Sequence, residues 1–276
     1  PVESIFVGNG SDEPIDLVYR VFCEPKVHNA VAIAPTYSMY KVAAEINDVE
    51  VREVQLEEDF SLDADKLLAA TDANTRLLWL CSPNNPTANS FPTATIERII
   101  REFAGIVVLD EAYIDFAAEP GFLSRLGEFP NLIVLQTLSK AWGMAGLRLG
   151  LAFADPLIVA TLSNVKYPYN VNGPTQQTVL ERLAGSPAAQ VAEILSERRR
   201  VAAALQPMKV VRKLYPSDAN FVLVKVDEPR KVYDRLIAAG IIVRDRSRMQ
   251  GCEGCLRITI GTPEENTRLL EVMAQL

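Results

Sequence analysis

The amino-acid sequence predicts an α/β fold in which a mainly parallel sheet is flanked by helices and followed by a smaller C-terminal α+β region. Short apolar runs alternate with helical patterns over the first two thirds of the chain, as in sheets whose parallel strands are connected by covering helices. Polar motifs directly follow three of these runs, where the carboxyl ends of strands bind ligands in such sheets. Residues 208–276 combine strand and helix patterns without that alternation.

The individual elements follow from hydrophobic spacing and capping residues. Five runs of buried-strand length predict strands at 31–34, 51–54, 77–80, 106–109 and 132–135. Helices are predicted between them at 15–23, 36–46, 94–104 and 120–128. A long helical pattern over 176–205 ends before Pro207, and beyond it we expect strands near 209–215, 220–226 and 256–260 and helices near 228–239 and 263–275. We therefore predict a large domain over 1–190 and a small domain over 191–276, joined by the long helix.

Composition excludes several classes of protein. The 276 residues are 49% hydrophobic and 23% charged, which suits a protein with a substantial core. A net charge of -7 argues against nucleic-acid binding, which needs a basic face. No apolar run approaches the roughly 20 residues that span a bilayer, and no signal-peptide pattern opens the chain. We expect a cytoplasmic protein with no membrane partner.

Cysteine and histidine usage excludes further chemistry. Cys252 and Cys255 form the one C-x-x-C pair, without the second pair or the histidines that zinc requires. Cys255 leads directly into a strand pattern, so we expect reduced structural thiols and no metal. His28, the single histidine, lies in a predicted exposed loop, and we assign it no role. Proton transfer then falls to Lys, Tyr, Asp or Glu.

Lys140 is the strongest candidate for a reactive residue. It follows the strand at 132–135, with hydroxyl residues before it and a glycine-rich stretch after it. A lysine at that place can hold pyridoxal 5′-phosphate as a Schiff base. Asp110 follows the strand at 106–109 and can pair with the pyridine nitrogen. A helix cap is the other interpretation of Asp110, and its spacing to Lys140 favours the cofactor role.

Other candidates suit the remaining parts of such a cofactor. Asn85 and Tyr113 could donate to the 3′-oxygen, although Asn-Pro is also a common turn dipeptide. Tyr37 could stack on the ring, with Tyr40 as the competing choice, and either could be core. The run Gly8–Glu13 opens a helix and could hold a phosphate with Thr137, Ser139 and Arg148, or Ser11 or Asp12 could simply cap the helix.

Two arginines of the C-terminal region suggest an anion site. Arg257 lies within an apolar strand pattern, where an unpaired guanidinium would be costly, and Arg244 follows a similar run. If both face the cleft, they could bind a carboxylate or a phosphate of the substrate. The alternative is salt bridges to Asp245, Glu253 or Glu264.

Seven segments in order along the chain carry a family resemblance, namely 8–13, 35–40, 81–87, 110–116, 137–141, 215–221 and 254–262. Together they resemble fold type I pyridoxal-phosphate-dependent aminotransferases with a seven-stranded sheet, and most closely the histidinol-phosphate aminotransferase family of the class II subfamily. The resemblance implies amino transfer between glutamate and imidazole acetol phosphate in histidine biosynthesis, in a homodimer with the active site at its interface.

The resemblance also implies roles for the candidates. The catalytic residues are Lys140, Asp110 and Tyr113. The residues that bind pyridoxal 5′-phosphate are Ser11, Asp12, Tyr37, Asn85, Asp110, Tyr113, Thr137, Ser139, Lys140 and Arg148. The residues that bind the phosphate of histidinol phosphate and the carboxylate of glutamate are Arg257, helped by Arg244, and Asn85.

Two departures from the family pattern stand out. Ala88 replaces the glycine that usually continues the Asn-Pro-Thr turn, and it would cost about 1 kcal/mol if that position needs a positive φ. Family members also carry a longer N-terminal segment that reaches the neighbouring subunit, and we expect this chain to lack it. The alternatives are an aromatic or broad-range transaminase, a phospho-amino-acid decarboxylase, or an inactive protein that binds pyridoxal phosphate.

Overall fold

The structure, a computed structural model, describes residues 1–276 and contains two sheets. The larger has seven strands, which are β1 (Ile5–Asn9), β2 (Asn29–Ala34), β3 (Glu50–Gln55), β4 (Thr75–Cys81), β5 (Ile106–Asp110), β6 (Leu132–Thr137) and β7 (Leu149–Phe153). Their spatial order is β1-β7-β6-β5-β4-β2-β3. Only β7 runs against the others, since it pairs antiparallel with β1 and β6. The predicted mainly parallel sheet is confirmed.

Helices cover both faces of the large sheet. They are α1 (Asp12–Phe22), α2 (Met39–Ile46), α3 (Ala64–Ala69), α4 (Thr93–Glu102) and α5 (Pro156–Val165). Leu77 and Trp79 of β4 pack in the core under α1, α2 and α5. Leu78 and Leu80 of the same strand pack in the core under α3 and α4. Because both faces are buried, these strands are continuous apolar runs in the sequence.

The prediction of one long helix over 176–205 is wrong. Two helices are present instead, α6 (Gly173–Leu183) and α7 (Ala188–Leu205). Gly185 and Pro187 lie in the break between them. Glycine weakens a helix interior, and proline can begin a helix but lacks the N–H that would continue one, so the chain turns here.

The second sheet has four antiparallel strands, β8 (Val211–Leu214), β9 (Phe221–Val226), β10 (Arg244–Asp245) and β11 (Cys255–Thr259), in the order β10-β11-β9-β8. One face packs against α7, α8 (Pro229–Ala238) and α9 (Pro263–Met273) through an apolar core. The other face of the second sheet packs against residues that follow the strands of the large sheet, where Phe221 contacts Tyr113. The predicted domain boundary at 190/191 falls within α7, and it stays a prediction.

The strand β7 was not predicted, yet it shapes the site. Gly150 lies against the backbone of Gly10 and Ser11, where a Cβ atom would collide. The absence of a side chain at Gly150 therefore lets the turn after β1 approach the start of β7. No helix in the structure combines the length and the apolar character needed to cross a membrane.

Candidate active site

A cavity of about 370 Å³ lies at the carboxyl edge of the large sheet, under the free face of the second sheet. Every residue that the sequence predicted for the site lines it, namely Ser11, Asp12, Tyr37, Asn85, Asp110, Tyr113, Thr137, Ser139, Lys140, Arg148, Arg244 and Arg257. Arg246 also lines it and was not predicted. Since β1, β4, β5 and β6 all end at this edge, the topology gathers motifs that are far apart in the chain.

Lys140 lies in the turn that follows β6, and its side chain enters the cavity. The Nζ atom is 5.2 Å from the centre of the Tyr113 ring. Burial lowers the pKa of Lys140, and the positive charge of Arg257 lowers it further. A lowered pKa leaves more of the amine unprotonated and able to attack a carbonyl carbon.

Asp110 is the last residue of β5 and is only 3% exposed. Its Oδ1 atom accepts the Ala112 N–H at 2.9 Å, and its Oδ2 atom accepts the Tyr40 hydroxyl at 2.6 Å. Burial raises the pKa of Asp110, while the Tyr40 hydrogen bond favours its charged form. Both oxygens are held in a fixed orientation, as a charge-pairing role requires.

Tyr37 and Tyr40, the two candidates for the ring-stacking residue, occupy different positions relative to the cavity. Tyr37 lines the cavity, and its hydroxyl donates to Asp12 Oδ1 at 3.1 Å. Tyr40 is buried behind Asp110 and stacks on Trp79 with 4.7 Å between ring centres. Tyr40 therefore fixes the Asp110 carboxylate, a role that sequence reasoning missed because 70 residues separate the pair.

The start of α1 offers a phosphate site. Ser11 occupies the position before the helix but makes no capping hydrogen bond, and its buried Oγ atom has no partner. The guanidinium of Arg148 lies 3.4 Å from Asp12 Oδ2, and Thr137 Oγ1 accepts the Ser139 N–H at 3.1 Å. An orphaned hydroxyl beside a helix N-terminus and an arginine matches the needs of a phosphate rather than a simple Ser11 cap.

Arg244 and Arg257, the two predicted arginines of the second sheet, are not in salt bridges. Arg244 and Arg257 lie directly opposite each other in the β10–β11 ladder. Arg257 donates to Asn85 Oδ1 at 2.6 Å, and its guanidinium lies over the Phe221 ring. The alternative of pairing with nearby acids is wrong, because neither arginine has a carboxylate oxygen within 4.0 Å. Asp245 and Glu253, the acids that lie closest to these arginines in the sequence, accept the backbone N–H groups of Ser247 and Gly251 instead.

The turn after β4 adopts the conformation that makes Ala88 unusual. Ala88 is fully buried and has a φ of 70°. Its N–H donates to the Asn84 carbonyl at 2.8 Å, and its carbonyl accepts the Asp218 N–H at 2.7 Å. The condition under which alanine was expected to be strained is therefore met.

These residues fit pyridoxal phosphate. A desolvated amine, a fixed buried carboxylate, an aromatic wall and the orphaned Ser11 hydroxyl supply what the aldehyde, ring nitrogen, ring face and phosphate each need. Cys252 and Cys255 lie outside the cavity lining as buried free thiols. Burial raises the pKa of Cys252 to about 12 and that of Cys255 to about 11, so both are poor nucleophiles.

Comparison with known proteins gives the class. Residues 1–273 match the family model for aminotransferase class I and II, and the chain belongs to this family. A histidinol-phosphate aminotransferase of Parabacteroides distasonis is 54% identical over 275 residues, which are 99% of this chain and 80% of that protein.

Solved structures agree on the fold. The histidinol-phosphate aminotransferase from Clostridium acetobutylicum superimposes with a TM-score of 0.91 at 23% identity, over 99% of this chain and 83% of that one. A decarboxylase from Sulfurospirillum multivorans has a TM-score of 0.87 at 28% identity, over 100% and 82%. One fold thus serves two reactions, and the side chains of the site must separate them.

Proposed function

We propose that the chain is a pyridoxal-phosphate-dependent transaminase that transfers an amino group between glutamate and imidazole acetol phosphate, giving histidinol phosphate in histidine biosynthesis. The observation that carries the proposal is the union, in one cavity, of the Lys140 amine, the fixed Asp110 carboxylate and arginines without acidic partners. The relative at 54% identity bears the same activity in its name. We place the enzyme in the cytoplasm.

The chemistry divides between the cofactor and the chain. Bound pyridoxal phosphate supplies an electron sink for the bond that breaks at the substrate carbon. Asp110 holds the compensating negative charge at the ring nitrogen, and Tyr40 keeps that carboxylate aligned. Lys140 Nζ takes the proton from the substrate carbon in one half-reaction and delivers a proton to the substrate carbon in the other, because its lowered pKa leaves more of the amine unprotonated. Asn85 and Tyr113 orient the ring.

Substrate binding falls to the second sheet. Arg257, anchored by Asn85 and close enough to Lys140 to lower its pKa, binds the anionic group nearest the reacting carbon. That group is the carboxylate of glutamate in one half-reaction and the phosphate of histidinol phosphate in the other. Arg244, directly opposite in the ladder, adds the second positive charge.

We further propose that the protein works as a homodimer with the active site at its interface. An apolar groove of about 500 Å³ runs between β1, β7 and α6, beside the phosphate site. Leu180 on its rim is 70% exposed, and Val7 and Leu183 are exposed as well. An exposed apolar surface of this kind favours contact with a second copy. Sedimentation equilibrium checks the assembly.

A coupled glutamate-dependent assay tests the function. Imidazole acetol phosphate and phenylpyruvate are offered in turn as amino acceptors, and release of carbon dioxide from phosphothreonine is measured in parallel. The proposal expects the highest kcat/KM with imidazole acetol phosphate. Preference for phenylpyruvate would support the aromatic transaminase, carbon dioxide release would support the decarboxylase, and no turnover by pyridoxal-phosphate-loaded protein would support the inactive alternative.

A further inference from the structure

Arg246 extends the row of arginines on the second sheet. The backbone N–H of Arg246 donates to the Cys255 carbonyl at 3.0 Å, so the β10–β11 pairing continues one residue beyond β10. Side chains two residues apart in a strand share a face, so Arg246 lies on the face of Arg244 and of its opposite neighbour Arg257. All three reach the same cavity.

These three guanidinium groups lack the partners that other arginines have. Nine other arginines form ion pairs, and one of them, Arg148, lines the same cavity. The nine are Arg20, Arg52, Arg98, Arg101, Arg125, Arg148, Arg200, Arg212 and Arg230. None of the three arginines on the second-sheet face does, and the Nε atoms of Arg246 and Arg257 are buried without any hydrogen bond. Like charges opposite each other in a sheet destabilise it. Burial of a guanidinium nitrogen without a partner, as at the Nε atoms of the half-buried Arg246 and Arg257, adds a further cost, whereas Arg244 is exposed. The arrangement therefore favours a ligand with several negative charges.

We propose that Arg246 determines specificity for the phosphorylated substrate by binding its phosphate monoester, and that carboxylate binding does not need it. A carboxylate carries one charge and two oxygens, which a single arginine can satisfy in a bidentate pair. A phosphate monoester carries about -1.5 to -2 charges and three acceptor oxygens. Arg257 suffices for the first ligand, and the second uses Arg246 as well. The inference rests on the proposed function, since it assigns one of that function's two substrates.

The experiment compares two ligands that lack an amino group and so bind without reacting. Propyl phosphate represents the phosphate monoester and glutarate represents the dicarboxylate, and calorimetry gives their dissociation constants on the cofactor-loaded protein. Arg246→Gln should weaken propyl phosphate binding by about tenfold or more while glutarate changes by about twofold or less. Arg246→Lys should fall between, because it keeps the charge but loses the planar fork. Arg248→Gln is the matched control, since Arg248 is an exposed arginine outside the cavity lining.

Several results would overturn the inference. Equal weakening of both ligands would make Arg246 a general source of positive charge, and loss of glutarate alone would assign it to the co-substrate. An unchanged propyl phosphate constant, or a parent chain that binds neither ligand, would remove it from the site. If Arg246→Gln fails to fold by circular dichroism, Arg246→Lys is compared with Arg248→Lys under the same criteria. The proposed function is judged separately, by turnover of imidazole acetol phosphate in the parent chain.

Discussion

The two sides of the cavity are built on opposite principles. On the large-sheet side, several polar groups have protein partners, although the Ser11 hydroxyl has none. Asp110 accepts two hydrogen bonds, Tyr37 donates to Asp12, and Arg148 lies beside Asp12 as well. On the second-sheet side, Arg244 and Arg246 have no acidic partner. Arg257 has only the neutral amide of Asn85 and the face of Phe221.

This difference separates a site for a resident group from a site for ligands that exchange. Groups held by fixed hydrogen bonds are oriented before anything binds, so little reorganisation is needed around a cofactor that stays. Guanidinium groups without carboxylate partners keep their hydrogen-bonding capacity for an incoming anion, which then gains affinity from pairing them. Two different anionic substrates can use such a face in turn.

The largest expected effect comes from removing the amine on the resident side. Lys140→Ala should abolish the absorbance band of covalently held cofactor and lower kcat by about 10²- to 10⁴-fold or more, because covalent attachment and proton transfer are lost together. Spectra after gel filtration and the coupled assay check both. Lys41→Ala is the control, since Lys41 forms an exposed ion pair with Glu53. If the absorbance band survived in Lys140→Ala, Lys140 would not be the residue that holds the cofactor on the large-sheet side of the cavity.

The pKa of Lys140 links the two sides, because Arg257 contributes to it. Burial and Arg257 lower the pKa of Lys140, whereas Glu53 raises that of Lys41. As the pH of cofactor-free protein is raised, Lys140 should therefore become reactive towards amine reagents at lower pH than Lys41. Arg257→Gln should move the Lys140 midpoint upward by removing a nearby positive charge. Competitive labelling with mass spectrometry measures both lysines at once, and equal midpoints would contradict the geometry.

Sequence reasoning identified most of the residues that line the large-sheet side of the cavity. Asp110 and Lys140 each follow a continuous apolar run, and parallel strands necessarily bring such positions to one edge. Tyr40 was different, because nothing in the local pattern reveals a hydrogen bond across 70 residues. The break between α6 and α7 did have a signal, in Gly185 and Pro187, which the helical spacing around it concealed.

The second-sheet side was harder to predict. The apolar pattern indicated β11 and therefore Arg257, but β10 has only two residues and no hydrophobic periodicity of its own. The position of Arg246 depends on the register between these strands, which is set by tertiary pairing rather than by local sequence. The strand β7 was not predicted either, because Gly150 interrupts its apolar run.

A smaller effect is expected where the resident side depends on Tyr40. Tyr40→Phe removes one of two donors to the buried Asp110 carboxylate, so its pKa should rise further and its charge at the ring nitrogen should weaken. We expect a loss of about 1.5–3 kcal/mol in unfolding free energy, the range for hydrogen bonds to charged groups, with a lower kcat. Urea denaturation and the coupled assay measure these effects.

The matched control for Tyr40→Phe lies in the same aromatic stack. Tyr19 is fully buried and stacks on Trp79, but its hydroxyl has no partner. Tyr19→Phe should therefore leave stability unchanged or slightly raise it, because a buried unsatisfied hydroxyl is removed. If both variants lost the same stability, burial of a hydroxyl rather than its bond to Asp110 would explain the result.

The smallest effect concerns the turn that joins the two sides, where Asn85 meets Arg257. Two backbone hydrogen bonds hold Ala88 at positive φ, so the chain cannot relax the strain by rotating.

Ala152 is equally buried but lies in β7 with ordinary strand geometry. Replacing Ala152 by Gly should cost about 1.5 kcal/mol from the lost methyl group and added chain entropy. Ala88→Gly incurs the same losses but relieves about 1 kcal/mol of strain, so its stability should stay within about 0.5 kcal/mol of the parent chain. Urea denaturation of both variants isolates the strain as their difference. If Ala88→Gly lost as much as Ala152→Gly, the turn would hold alanine without strain, and the missing glycine would have no energetic consequence.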